Sequence, residues 1–356
     1  MPLSGSPGAC RLPSRTTSPR SVPVPYRAFV VDKQGDQFTA GVRVLDESQL
    51  PPGDVTIRVQ WSSVNYKDGL ASIPDGRVVR TYPMVPGVDL AGVVIESSDP
   101  RFRPGDGVVV IGYDLGVAHP GGFAELARVP GDWVVHLPEG LTAKEAMALG
   151  TAGFTAALSV EALEQHGLRP ENGPVIVTGA TGGVGSIAVA MLAKRGYTVA
   201  ASTGKASEHQ FLRDLGASEI LSREEVSAPS NRPLESERWA GAVDPVGGDT
   251  TAYLLRTMKY GASIALSGLT GGRELHTTVI PFILRAVNLL GIESVWCPRE
   301  TRVRVWQRCA TDLKPPKLLE SIAHETDLDG LPQVLAAILK GQVRGRTLVR
   351  LAGDDI

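Results

Sequence analysis

The sequence is poor in the residues that build metal and disulfide sites. Three cysteines (Cys10, Cys297, Cys309) in 356 residues form neither a disulfide framework nor a CxxC knuckle. Six histidines are scattered with no HxxxH-like pair, so neither a structural nor a catalytic zinc finds a ligand set. So little cysteine fits a reducing compartment, and a cytoplasmic protein is expected. An excess of charge is lacking too. The 36 basic and 38 acidic residues leave a net −2, which argues against nucleic acid or an anionic membrane as the main partner. No apolar run approaches the ~20 residues of a membrane span. Residues 1–25 lack acids and an apolar run, and hold prolines, serines and three arginines. That argues against a secretory signal. A transit peptide, an over-long start and a disordered tail all stay open, and the stretch is set apart from the fold.

Glycine, by contrast, is abundant, with 40 residues, and three glycines organise the chain. Val175, Ile176 and Val177 read as a strand buried on both faces. Gly179, Gly182 and Gly185 follow at the spacing of a dinucleotide-binding turn, where they allow a tight bend and close approach of backbone to a pyrophosphate. A helix beginning near Gly182–Val184 aims its free N–H groups at phosphate. Val184, Ala188 and Leu192 give it an apolar face, and Gly196 ends it. Tyr197–Ala201 returns as a second strand. Where an NAD-binding unit usually has an acid, this chain has Ser202-Thr203-Gly204-Lys205. A carboxylate would repel a 2′-phosphate and an ammonium attracts it, so NADP(H) is expected rather than NAD(H). Arg223, after an apolar strand at Glu219–Leu221, adds a cation near that end.

Ahead of this unit lie short strands separated by Pro/Gly turns: Tyr26–Asp32, Phe38–Val44, Asp54–Ser63, Gly87–Glu96, Gly107–Ile111, Gly121–Glu125 and Asp132–Val135. They predict a partly closed β domain. Val64–Asp68 opens a short helix. Thr142–Leu163 has helical periodicity, interrupted by Gly150 and Gly153. Later segments predict a helix capped by Ser207 with Gln210, strands at Ala240–Asp244, Ser263–Ser267 and Leu290–Glu293, and helices at Thr301–Asp312 and Leu331–Leu339. Gly345–Leu351 is a last strand.

A β domain followed by a Rossmann unit resembles the medium-chain dehydrogenase/reductase superfamily. Several stretches narrow the resemblance. They are Trp61-Ser62-Ser63-Val64-Asn65-Tyr66-Lys67-Asp68, Pro83-Met84-Val85-Pro86-Gly87-Val88-Asp89, Gly122-Phe123-Ala124-Glu125, Gly131-Asp132-Trp133, Gly150-Thr151-Ala152-Gly153-Phe154-Thr155-Ala156, Pro281-Phe282-Ile283-Leu284-Arg285 and Gly345-Arg346-Thr347. Together they are similar to the acryloyl-CoA reductase subgroup, whose members also carry quinone oxidoreductase names. The resemblance spans about residues 27–351. Zinc-dependent members carry Gly-His-Glu where Gly87-Val88-Asp89 stands here, and a four-cysteine lobe that is absent. The chain departs from the subgroup at Gly112-Tyr113-Asp114-Leu115-Gly116 and His119-Pro120-Gly121-Gly122, which bears on the acyl substrate more than on the reaction.

The resemblance implies an α/β fold: a GroES-like β domain (26–148 and 320–356) plus a doubly wound parallel Rossmann sheet (149–319) that binds NADPH. It implies hydride delivery to the β-carbon of a 2-enoyl thioester, and a proton at the α-carbon. Thr181, Gly182, Gly183 and Val184 are implied at the pyrophosphate, with Thr203, Gly204, Lys205 and Arg223 at the adenosine phosphate. Leu269, Ile283, Ser294 and Arg346 are implied on the nicotinamide side, against bland alternatives of strand-end packing and a surface salt bridge. Tyr66 either donates a proton or packs on the cofactor. Asn65 either donates to the enolate oxygen or fixes the turn, and Lys67 and Asp68 read as a solvated helix pair, with direct catalysis the lesser alternative. A quinone or enone reductase and a non-catalytic NADPH-binding protein are the rival readings. A homodimer extended through an edge strand near Leu290–Ser294 follows by analogy only.

Overall fold

A computed structural model describes residues 25–352; the expectations for residues 1–24 lie outside it. The described residues begin with a hairpin of β1 (Pro25–Gln34) and β2 (Gln37–Asp46), antiparallel throughout. Then come β3 (Val55–Ser63), the short helix α1 (Tyr66–Ala71), β4 (Asp89–Ser97), β5 (Gly107–Ile111), β6 (Leu126–Val129) and β7 (Val135–His136). The long helix α2 (Ala143–Gln165) leads to β8 (Val175–Val177), α3 (Gly183–Lys194), β9 (Val199–Thr203), α4 (His209–Asp214) and β10 (Ala217–Ser222). The sheet is completed through β11 (Trp239–Asp244), α5 (Gly248–Thr257), β12 (Met258–Leu266), α6 (Ile280–Arg285) and β13 (Asn288–Gly291). The last elements are α7 (Arg299–Ala310), β14 (Ala323–Asp327), α8 (Leu331–Leu339) and β15 (Arg346–Arg350).

Six parallel strands stand in the order β10-β9-β8-β11-β12-β13. The order reverses between β8 and β11, and a crevice for a dinucleotide opens beyond the carboxyl ends there. Val175, Ile176 and Val177 are fully buried, which explains their unbroken apolar run. The other large sheet runs β14-β15-β3-β4-β5-β7, with β6 on β3. Its β15 pairs antiparallel with β3, Leu348 opposite Ser63, so the end of the chain returns beside the start of α1.

α2 joins the two sheets. Its 23 residues are apolar enough to span a membrane, but 83% of its most apolar stretch is buried inside the protein. It packs on α3, α7, β3 and β4. Gly150 breaks its helical geometry, at φ 53° and ψ −156°. A Cβ there would fall about 2.5 Å from Asp89 Oδ2 and 2.6 Å from both Arg346 Nη2 and Ser63 Oγ. The bend and the missing side chain are what let α2 close onto a polar cluster. Gly153, expected as a second interruption, stays helical.

Four local expectations need correction. Gly121–Glu125 is not a strand: only Ala124 bridges, to Ala28, and the strand is Leu126–Val129. Asp132–Trp133 lies in a 3₁₀ turn, leaving two residues of strand at Val135–His136. Ser207 does not cap a helix, since Ala206–Glu208 is itself a 3₁₀ turn and α4 starts at His209. The edge strand is Asn288–Gly291 rather than Leu290–Glu293.

Candidate active site

The strand β8 ends in the glycine turn, and α3 begins without a side-chain cap on Gly182. The Gly182 N–H donates to Gly179 O at 3.0 Å and the Ser186 N–H to Gly182 O at 2.9 Å. The N–H groups of Gly183, Val184 and Gly185 between them have no partner among the described residues, an arrangement that suits phosphate. A Cβ on Gly185 would lie 2.4 Å from Gly179 O, so the turn closes only with glycine there. Thr181 and Thr203 meet hydroxyl to hydroxyl at 3.3 Å, and the Lys205 N–H donates to Thr203 Oγ1 at 3.1 Å. The guanidinium of Arg223 lies over Gly204, about 3.0 Å from where a Cβ would stand. Lys205 Nζ donates to Val343 O at 3.2 Å. Thr181, Thr203, Gly204, Lys205 and Arg223 thus lie together beside the glycine turn.

Beside the turn lies a buried polar array. The Asp89 carboxylate, fully buried, accepts from Ser63 Oγ at 2.6 Å, Asn65 Nδ2 at 2.7 Å and the Thr151 N–H at 3.0 Å. Its other oxygen accepts from Thr151 Oγ1 at 2.5 Å. Arg346 lies 3.4 Å from the same carboxylate and donates to Val64 O, Asn65 Oδ1 and Ser63 Oγ at 3.0, 3.1 and 2.7 Å. Its Nε has no partner among the described residues, and burial lowers its pKa. A Cβ on Gly183 would fall 3.2 Å from Arg346 Nη1, so this guanidinium stands against the first turn of α3. Arg346 is a buried strut rather than a surface salt bridge, linking the phosphate turn to Asn65.

Asn65 precedes α1. Its side chain does not cap that helix; both ends of its amide are held by Asp89 and Arg346. Asp68 receives the Asn65 N–H at 2.7 Å and the Val88 N–H at 3.1 Å. Asp68 is 1% exposed, which corrects its reading as half of a solvated pair; Lys67 alone is exposed. Burial, reinforced by nearby Asp89, pushes Asp68 up to about 7. Tyr66 is the first residue of α1 and 48% exposed. Its hydroxyl has no partner among the described residues. Ser294 Oγ lies 3.0 Å from Thr155 Oγ1, one turn along α2 from Thr151. Leu269 and Ile283 are 67% and 70% exposed and join none of the buried clusters, so strand-end packing does not account for them.

Residues 51–139 match the alcohol dehydrogenase GroES-like domain family, and residues 183–310 the zinc-binding dehydrogenase family. The acrylyl-CoA reductase AcuI of Ruegeria pomeroyi is 54% identical over 91% of this chain and 98% of its own. The chain belongs to the medium-chain dehydrogenase/reductase family. Two solved family members have the same fold. The yhdH oxidoreductase of Salmonella enterica, in complex with NADP, superposes with a TM-score of 0.89 at 50% identity, over 91% of this chain and 99% of its own. The Bacillus subtilis protein yhfP, with NAD bound, gives 0.90 at 52%, over 92% and 100%. Its sequence relative YhfP is named as a quinone oxidoreductase.

The second family's name raises the question of zinc. Among the described residues no group of three or more His, Cys, Asp or Glu is placed to hold a metal. Asp89, the acid at the motif position, is already saturated by donors, one of them a guanidinium. A second cation would meet that charge at close range. The residues do not fit zinc. They do fit a dinucleotide: an open helix start, glycines where a Cβ would collide, and an unpartnered Arg346 Nε.

Proposed function

We propose that this chain reduces the C=C bond of a short 2-enoyl-CoA with NADPH, acryloyl-CoA to propanoyl-CoA foremost. The observation that carries the reading is the closed array of Ser63, Asn65, Asp89, Thr151 and Arg346 standing against the open N-terminus of α3. A floor whose cation is a guanidinium suits reduction of an activated alkene. The thioester carbonyl itself spreads the charge of the addition, so no Lewis acid is needed. The name of the AcuI relative supports the substrate, and the NADP-bound Salmonella neighbour supports the cofactor.

When bound, NADPH supplies the hydride. The N–H groups of Gly183 and Val184 would hold its pyrophosphate, with Thr181 and Gly182 shaping the turn and Arg346 balancing charge. Thr203, Gly204, Lys205 and Arg223 would take the 2′-phosphate. Tyr66, Ser294, Leu269 and Ile283 would hold the nicotinamide. Asn65 is held rigidly, and its second Nδ2 hydrogen makes only a long contact, 3.5 Å to Ser63 O. It is the donor free to meet negative charge on the thioester oxygen. The α-carbon takes its proton from water admitted at the open mouth beside Tyr66.

The quinone reductase reading rests on the name of YhfP. β13 ends the parallel sheet with no further strand beside it among the described residues, which supports a homodimer formed by sheet extension; sedimentation as a monomer at all concentrations would reject it. Buried, free Cys297 and Cys309 fit work in a reducing cytoplasm. NADPH dideuterated at C4 tests the reaction. Deuterium should appear at C3 of propanoyl-CoA; unlabelled product, or unreacted acryloyl-CoA while a quinone is consumed, rejects it.

A further inference from the structure

Arg302, on α7, is a fully buried cation whose acceptors are all carbonyl oxygens. Nη1 donates to Ile111 O at 2.9 Å, and Nη2 to Ser294 O and Val295 O at 3.2 and 3.0 Å. Its Nε has no partner among the described residues. Burying a guanidinium without a carboxylate is costly unless its hydrogen bonds replace those to water. Here they close three carbonyls, one at a strand end of the β-domain sheet and two in the segment that leaves the parallel sheet. Ile111 ends β5 of the β domain, and Ser294–Val295 follow β13 of the parallel sheet.

The ring contacts continue the link. Arg302 stands 4.5 Å from the Tyr113 ring and 5.3 Å from the Phe154 ring. Tyr113 stacks on Trp133 at 5.3 Å, planes 3° apart, and Phe154 stacks on Trp306 at 5.9 Å. The Tyr113 backbone is left-handed, at φ 52°, and its N–H donates to Val295 O at 2.9 Å. Gly112 lets the two segments touch: a Cβ there would lie 2.9 Å from Val295 O. A continuous column of rings, with one guanidinium inside it, therefore crosses the junction of the two sheets.

The two segments that Arg302 ties together each reach the polar array. The Gly112 N–H donates to Val88 O, next to Asp89, and the Val88 N–H donates to Asp68. Ser294 meets Thr155, one helical turn from Thr151. We infer that Arg302 is a positioning residue. It fixes the strand ends at Ile111 and Ser294–Val295 to one another, and so holds the nicotinamide-side wall at a set distance from Asn65. It touches neither cofactor nor substrate.

Amide hydrogen exchange and NADPH turnover of Arg302→Met and Arg302→Lys test this. The exchange readout needs no substrate, so it stands apart from the identity of the enoyl-CoA. In Arg302→Met, exchange should rise at residues 111–116 and 293–297 and stay at the parental rate in β8 and α3. Its kcat should fall on the order of 10²-fold, the scale of an ångström-sized misplacement, while the NADPH Kd stays near the parental value. Lysine keeps the charge, but its single nitrogen does not span both strand ends, so it should restore kcat only in part. Parental kcat in a folded variant, or exchange rising uniformly through both sheets, overturns the assignment. If the methionine variant does not fold, the lysine variant decides: local exchange with reduced kcat supports it, parental values of both overturn it.

Discussion

Lys205 and Arg223 place two cations where the second Rossmann strand ends, and among the described residues neither faces a carboxylate within ion-pair distance. A charge-assisted contact to phosphate contributes about 1.5–3 kcal/mol. Lys205→Asp should therefore raise the apparent KM for NADPH by at least about tenfold and leave that for NADH nearly unchanged; equal losses for both would dismiss the 2′-phosphate role. Tyr66 offers a second test. General acid catalysis typically contributes ~10²–10⁴-fold, but its partnerless hydroxyl at an open mouth suggests a packing ring. Tyr66→Phe should lose several-fold in kcat at most, and Tyr66→Ala distinctly more; a Phe variant as inactive as Ala would make the hydroxyl the proton donor. Asp68 yields a pH test. Its pKa rises from an ordinary 3.8 to about 7 in the fold, so between about pH 4 and 7 the folded chain binds more protons than the unfolded one. Stability must then fall as pH rises through that window. In Asp68→Asn this contribution disappears, whatever the amide costs in absolute stability. Urea unfolding at pH 5 and pH 8 should show a smaller drop in the variant, and identical drops would remove Asp68 from the account.

The elements differ in how much of them can be read from the chain. β8, the glycine turn and α3 are local: a buried apolar triplet, three glycines and an apolar face suffice. Their geometry carries a prediction. A methyl group on Gly185 would strike Gly179 O, and relieving such overpacking costs about 1–3 kcal/mol. Gly185→Ala should lower the melting temperature and weaken NADPH binding together; normal binding would mean the turn is not the phosphate site. The polar array is not local. Arg346 and Asp89 are 257 residues apart, and they meet because β15 returns beside β3 and α2 bends at Gly150. Composition therefore makes Asp68 look solvated and gives Asp89 no evident partner. The signal available was an acid directly after the buried stretch Met84–Val88. β14 is missed for another reason: Ala-His-Glu-Thr-Asp has no apolar alternation, and a parallel neighbour imposes its pairing. Ser207 misleads because a cap motif is a preference, and a 3₁₀ turn carries the chain past it.

At the scale of the whole molecule, two sheets share α2, and the crevice beyond the carboxyl ends of β8 and β11 has the open start of α3 and a buried polar floor beside it. Nothing in that floor suits a metal, so exhaustive chelation should leave turnover intact; activity lost with chelator and restored by zinc would contradict the reading of Asp89 and Arg346. The central claim is that this crevice serves hydride addition to an enoyl thioester. The most direct measurement is NADPH oxidation by the purified protein with acryloyl-CoA and with a simple quinone, at matched concentrations. The account predicts that kcat/KM for acryloyl-CoA exceeds that for the quinone, with propanoyl-CoA formed in step with NADPH lost. Faster turnover of the quinone, or no NADPH oxidation with any short enoyl-CoA, would contradict it.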